Sequence, residues 1–243
     1  MKTTCKKISI LFTLATAWLL LNSGVAQAQQ LKQMDVTQIR GNIEVIPDQK
    51  KVIGSIAVHF SVLQDTDSLY LDAIQMKIRE DRSKDVAVLT SAKKIWLTGD
   101  FKAGQRYTAD FTYEAFPKKT LYFTGDQFWT QGQGKYTSHW LPSLDDMNYK
   151  IEFDLHYIAP GRRPVVANGK RFSIEPLENE TVWSYDMQQP MSSYLVAFAS
   201  GDFDKLELSS ASGVPLELYF RTEDASKAEP TYRYTREIFD FLE

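Results

Sequence analysis

The chain has 243 residues, with 28 basic and 31 acidic side chains and a formal charge of −3. That length allows one or two domains whose core is large enough to stand without disulfides. The mildly acidic balance argues against a nucleic-acid partner, because phosphate backbones reward a basic surface.

The first 28 residues read as a secretory signal. Lys2, Lys6 and Lys7 form a basic start, ISILFTLATAWLLL (8–21) carries no charge, and AQA (26–28) offers small residues for cleavage after Ala28. A retained membrane anchor is the weaker alternative, because the run is shorter than the ~20 residues a span requires. Cleavage removes three lysines and no acid, which takes the formal charge from −3 to −6, and it also removes the single cysteine, Cys5. The mature protein is therefore expected to be exported, periplasmic or secreted, and to rely on its core rather than on disulfides. No later apolar run is long enough to span a membrane.

From Asp35 the pattern has period two. DVTQIRGNIEVI and VIGSIAVHFSVL (52–63), joined by the turn PDQK (47–50), predict a hairpin. Ile56, Val58, Phe60 and Val62 share one face of its second strand. SLYLDAIQMKI (68–78) and KKIWLTG read as further strands. QRYTADFTYEAF follows, with Tyr107, Ala109, Phe111, Tyr113 and Ala115 on one face. YKIEFDLHYIAP (149–160) is next, then RPVVANGKRFSIEP with an Asn168-Gly169 hairpin turn. SSYLVAFASGDFDKLELS (192–209) and VPLELYFR (214–221) complete the set. Roughly a dozen strands with no intervening helix predict an all-β, sandwich-like domain.

Two stretches depart from this pattern. FWTQGQGKYTSHWLPSLDD (128–146) breaks the alternation with two glycines and two glutamines between aromatics. EDASKAEPTYRYTREIFDFLE (223–243) switches to a helical period, with Ser226 as expected N-cap, Glu229 three residues on, and Pro230 in the first turns. Thr235, Ile238, Phe239 and Leu242 fall at i, i+3, i+4 and i+7, a stripe that suits burial. The sequence stops at Glu243 without a glycine cap or a following element, so this helix reads as cut off. Docking of the helix back onto the sheet is the alternative.

No residue set amounts to a complete active site. His59, His139 and His156 lie too far apart for the His-Glu-x-x-His pattern that puts two imidazoles one helical turn apart. Glu152, Asp154 and His156 share one strand face, but Ile151, Phe153, Leu155 and Tyr157 fill the other, as on an ordinary solvated strand. Gly132-Gln133-Gly134 lacks the third glycine and the helix of a phosphate-binding loop. Asn179-Glu180-Thr181 matches a glycosylation sequon by spacing alone. Asp145 and Asp146 are adjacent and so point apart. Asp145 is as well suited to capping turn amides as to acid chemistry.

Several segments in order resemble one family. DVTQIRGNIEVIPDQKKVIGSIAVHF, TQGQGKYTSHWLPSLDD, YKIEFDLHYIAP, VVANGK and PMSSYLVAFASGDFD are similar to the N-terminal domain of zinc aminopeptidases of the aminopeptidase N and leukotriene A4 hydrolase type, the gluzincins. The resemblance covers 35–209. YRYTREIFDFLE is similar to the first helix of that family's catalytic domain. Ser138, His139 and Met147 depart from the family pattern, which weakens the expectation for Asp145 as a cap.

The resemblance implies a saddle-like multi-stranded β-sandwich over 29–221. Residues 222–243 would be a linker and the start of a zinc-peptidase domain. It also implies zinc, held by two His and a Glu that lie beyond Glu243 along with the general base and the G-x-M-E-N segment, and a peptide substrate recognised through its free N-terminal amine. Gln133, and less directly Gln131, would accept hydrogen bonds from that amine through a side-chain carbonyl. No catalytic residue and no metal ligand of the family falls within the chain, which would be inactive alone. A stand-alone periplasmic β-domain, acting as a binding or scaffold module, is the competing expectation.

Overall fold

The computed structural model describes residues 32–125, 127–132 and 134–243; the expected secretory segment 1–28 and Gln133 lie outside the described residues. Strict alternation builds the centre of the fold. In β2 (Lys51–Val62) every second residue from Val52 to Val62 is buried, including Ile56, Val58 and Phe60. β1 (Met34–Ile46) pairs antiparallel with it across a short 3-10 turn at Pro47–Gln49, which is the expected hairpin. β7 (Arg106–Ala115) lies on the far side of β2 and buries Ala109, Phe111, Tyr113 and Ala115.

On the other flank β10 (Lys150–Pro160) pairs with β1 in parallel. β13 (Glu180–Asp186) and β12 (Lys170–Pro176) extend that flank, and β4 (Lys77–Asp81) closes the opposite edge. The order is β12-β13-β10-β1-β2-β7-β4, with the short β14 (Met191–Ser192) also on β10. A three-stranded sheet contains β3 (Thr66–Asp72), β6 (Lys94–Phe101) and β5 (Ala87–Thr90). A four-stranded sheet contains β11 (Val165–Ala167), β15 (Phe198–Ser200), β9 (Gln127–Thr130) and β8 (Leu121–Thr124). Both share one apolar core with the inner face of the large sheet, where Phe101 meets Phe60 and Phe198 meets Tyr157. Each such side chain, fully buried, contributes about 1.5–3 kcal/mol. The all-β sandwich expectation holds, with seventeen strands among the described residues rather than a dozen.

Three expectations about strands need correction. SLYLDAIQMKI is two strands in two sheets, β3 and β4, because Gln75 turns the chain in the left-handed region at φ 54°. Asn168-Gly169 is not a hairpin turn: β11 pairs with β15 while β12 pairs with β13. The run 192–209 divides among β14, a 3-10 turn at Ser193–Leu195, β15 and β16 (Phe203–Ser209), the last forming a separate hairpin with β17 (Pro215–Arg221).

The C-terminal segment is two helices, α1 (Ala225–Tyr232) and α2 (Thr235–Leu242). Ser226 lies inside α1 instead of capping it, and Asp224 occupies the N-cap position with its carboxylate on Lys227 Nζ at 2.6 Å and not on a helix amide. The stripe on α2 is not docked on a sheet: Ile238 is 58% and Leu242 74% exposed, with Phe241 beside them at 87%. Two hydrogen bonds tie α2 to the turn after β16, Asp240 accepting from the Ala211 amide and Glu243 from the Ser212 hydroxyl, while Phe239 is half-buried.

Candidate functional site

The irregular stretch begins where β9 ends. Gln131 donates its amide to Thr120 O at 2.7 Å, and its side chain faces solvent. Gly132 is buried so tightly that a Cβ there would stand 2.6 Å from Tyr194 O, which excludes any other residue without a backbone shift. Gly134 then takes φ +75° and Tyr136 φ +83°, both in the left-handed region that a glycine adopts freely and a tyrosine rarely. The chain enters a 3-10 turn at Thr137–His139 and plugs the core with Trp140, which is 0% exposed and edge-on to Phe198 at 5.2 Å. From the inner face of the large sheet Tyr113 donates its hydroxyl to Trp140 O at 2.7 Å.

An irregular backbone leaves amides and carbonyls unpaired, and buried ones must find partners. Here side chains serve. Thr137 Oγ1 donates to Ser193 O at 2.9 Å, Ser193 Oγ to Leu144 O at 2.8 Å, and Ser192 Oγ to Met147 O at 2.6 Å. Asp145 accepts from the amides of Tyr136 (3.3 Å) and Ser138 (3.4 Å) and from the Ser138 hydroxyl. Asp146 accepts instead from the Asn148 amide at 2.8 Å. The two adjacent acids thus serve separate turns, and capping is the role Asp145 takes despite the altered residues around it.

Asp72 at the end of β3 ties this loop to the three-stranded sheet. Its carboxylate accepts the Asp145 amide at 3.0 Å, and its backbone exchanges two bonds with Ser143. Burial, reinforced by the nearby Asp145 charge, raises the Asp72 carboxyl above the usual range. Burial also lowers the His139 imidazole, which packs edge-on to Tyr136 at 5.9 Å. Facing outward are Gln131, Lys135 and Tyr136. Of the two glutamines expected to hold an amine, then, Gln131 stands at an exposed rim, and Gln133 lies between the described Gly132 and Gly134. Sequence reasoning did not single out Asp72, Thr137 or Ser193. The Met191–Ser193 segment does belong to a stretch that carried the resemblance, and its contact with the loop joins two of those motifs in space.

The histidines stay apart, with His59 Nδ1 on Thr108 and His156 Nδ1 on Ser184. Among the described residues the one group able to reach a common ion is Glu152, Asp154 and Asp186, so the partner joining Glu152 and Asp154 comes from β13 and is not His156. An all-carboxylate set suits hard cations and lacks the imidazoles zinc takes in catalytic sites. The residues described here do not fit a zinc centre.

The family model for the peptidase M1 N-terminal domain matches residues 37–195, more than half of the chain. The glutamyl aminopeptidase of Sus scrofa is 31% identical over 105 residues, 42% of this chain and 11% of its own length. That of Rattus norvegicus is 32% identical over 103 residues, again 42% and 11%. An M1 zinc metallopeptidase mutant of Deinococcus radiodurans, bound to a Tyr-Ser-Ala substrate, superposes with TM-score 0.70 at 12% identity, over 78% of this chain and 48% of that one. The same enzyme without the mutation gives 0.70 at 12%, over 79% and 48%. The chain thus spans about a tenth of the length of the curated relatives it matches and about half that of the solved chains. By the extent of the family match and by its layered β architecture, this chain belongs to the peptidase M1 N-terminal domain family.

Proposed function

We propose that the chain is the N-terminal, cleft-forming domain of an exported zinc aminopeptidase that removes N-terminal residues from peptides. One observation carries the reading. The loop 131–146 exposes Gln131 and Tyr136 while Trp140 and Asp145 anchor it from beneath, and a fixed rim of this kind suits substrate recognition. In this reading Gln133, assisted by Gln131, accepts hydrogen bonds from the substrate α-ammonium, which offers only donors. Zinc and the residues that activate water belong to a segment following Glu243. The described residues supply positioning and no chemical step. Residues 1–28 act as the export signal, 29–221 as the domain, and 222–243 as the lead into the zinc domain.

Purified on its own, the chain should release no amino acid from aminoacyl-arylamides; turnover by a metal-free preparation would overturn the assignment. In the complete enzyme, Gln133→Leu should raise KM for free-amine peptides about tenfold, the value of one charge-assisted hydrogen bond. An unchanged KM would remove Gln133 from the site. The second reading, a stand-alone β-domain acting as a binding or scaffold module, calls for a docked final helix, which the uncovered apolar residues of α2 do not support. A reading frame continuing past Glu243 into His-Glu-x-x-His would eliminate it.

A further inference from the structure

The outer face of the large sheet, opposite the face on which Tyr113 meets the loop, carries an open groove of about 540 Å³. It runs from Phe172 on β12 to Arg82 just beyond β4. Strand register lays Asp186, Asp154, Arg40, Ala57 and Asp110 side by side across it. The short side chains of Ala57 and Ser55 keep the floor low. At one end Arg82 is already answered by Asp110, Glu80, Thr112 and Ser55.

The other half of the groove is not balanced. Glu152, Asp154 and Asp186 bring carboxylate oxygens within 4.8 Å of one another. Gln38 Nε2 fixes two of them, donating to Asp154 at 2.6 Å and Glu152 at 3.2 Å. Asp186 also accepts the Gln188 amide, yet Asp154 Oδ1 is buried with no partner. Burial and the Asp186 carboxyl push Asp154 up to about 6, the mark of like charges held together without a counter-ion. Arg40 is the direct register neighbour of Asp154 but forms no ion pair among the described residues. Beside the acids, Phe172 is 59% exposed and sits edge-on to His156 at 5.9 Å.

We propose that this groove binds a free α-amino acid with a large apolar side chain, its ammonium on Asp154 and Asp186, its carboxylate on Arg40, and its side chain against Phe172. An ammonium offers only donors and so suits paired carboxylates, and a guanidinium matches a carboxylate in a planar, bidentate way. Neighbouring strands lie about 4.8 Å apart, which suits two charges carried on one α-carbon better than the separated ends of a peptide. A hard cation would use the carboxylates but would give no role to Phe172 and would be repelled by Arg40.

The test is titration of the chain with L-phenylalanine, N-acetyl-L-phenylalanine, L-phenylalaninamide and calcium, followed by amide chemical shifts and calorimetry. The expected result is saturable binding of L-phenylalanine with shifts at Arg40, Asp154 and Phe172. Each capped analogue should lose about tenfold or more in affinity, because each lacks one charged partner. Arg40→Gln, a substitution at an exposed position, should weaken L-phenylalanine to the level of its amide, and Phe172→Ala should erase the preference for phenylalanine over glycine. Absence of saturable binding, equal affinity for all three compounds, or shifts confined to other surfaces would overturn the proposal. Calcium saturating the acids while the amino acid does not bind would overturn it as well. Asp154→Asn should weaken L-phenylalanine to the level of its N-acetyl form; should that variant fail to fold, the analogue series and Arg40→Gln still decide.

Discussion

The loop 131–146 and the helix α2 reverse the usual link between regular backbone and burial. The loop has no repeating conformation, yet it places Trp140 and Leu141 at 0% exposure and has its backbone partnered by the side chains of Asp72, Tyr113, Asp145 and Ser193. α2 satisfies its own backbone, yet Ile238, Phe241 and Leu242 stand in water. Order in the first comes from long-range side-chain bonds. In the second it comes from local geometry, marginal at eight residues, and from the two hydrogen bonds to Ala211 and Ser212. A segment can therefore be structurally decisive without being regular, and regular without contributing to the core.

Mutations can break this contrast in graded steps. Trp140→Ala should cost about 3–5 kcal/mol in urea unfolding, the range for removing a fully buried aromatic. A loss under about 1 kcal/mol would mean the loop is not part of the core. Asp145→Ala leaves the Tyr136 and Ser138 amides without their acceptor. It should cost about 1–3 kcal/mol and speed hydrogen exchange at those two amides first. Asp72→Asn probes the pH response of the same anchor. Because the folded-state pKa of Asp72 is raised, the folded protein holds that proton more tightly than the unfolded chain. Its contribution is complete below the ordinary carboxylate value of about 3.9 and is lost as pH rises through the raised value. The variant should lack this fall, which unfolding curves collected from pH 3 to 7 can measure. Phe241→Ser should change stability by no more than about 0.5 kcal/mol, since it removes little buried contact. Any self-association of the chain should fall with it. A large loss of stability would show that α2 packs more firmly than its exposure indicates.

The sequence disclosed those features in which local pattern and tertiary outcome agree. β1, β2, β7 and β10 alternate strictly and bury the faces their side chains indicate. The break between β3 and β4 was hidden because Gln75, and not glycine or proline, takes the left-handed turn. Asn168-Gly169 misled because pairing there is decided far along the chain: Asn168 exchanges bonds with the Ala197 backbone, 29 positions away. The loop betrayed itself by losing alternation, which marked a special region but left Asp145 open between a cap and an acid. Its supports, Asp72 and Ser193, lie 73 and 56 positions from their partners, beyond the reach of any local motif. Asp186 escaped notice beside Glu152 and Asp154 for the same reason.

The parallel pairing of β1 with β10 has a consequence for biogenesis. Gln38 must find Glu152, 114 positions further along the chain, before the middle of the large sheet exists. A nascent or translocating chain presents β1 early, can form the β1–β2–β7 meander as it emerges, and then waits with one edge of β1 open until Pro160 has appeared. Non-local pairing of this kind is slow and leaves an exposed strand edge in the interval. A ribosome stalled between β7 and β10 would release a half-sheet with that edge bare, which is the species a holdase chaperone would be expected to bind.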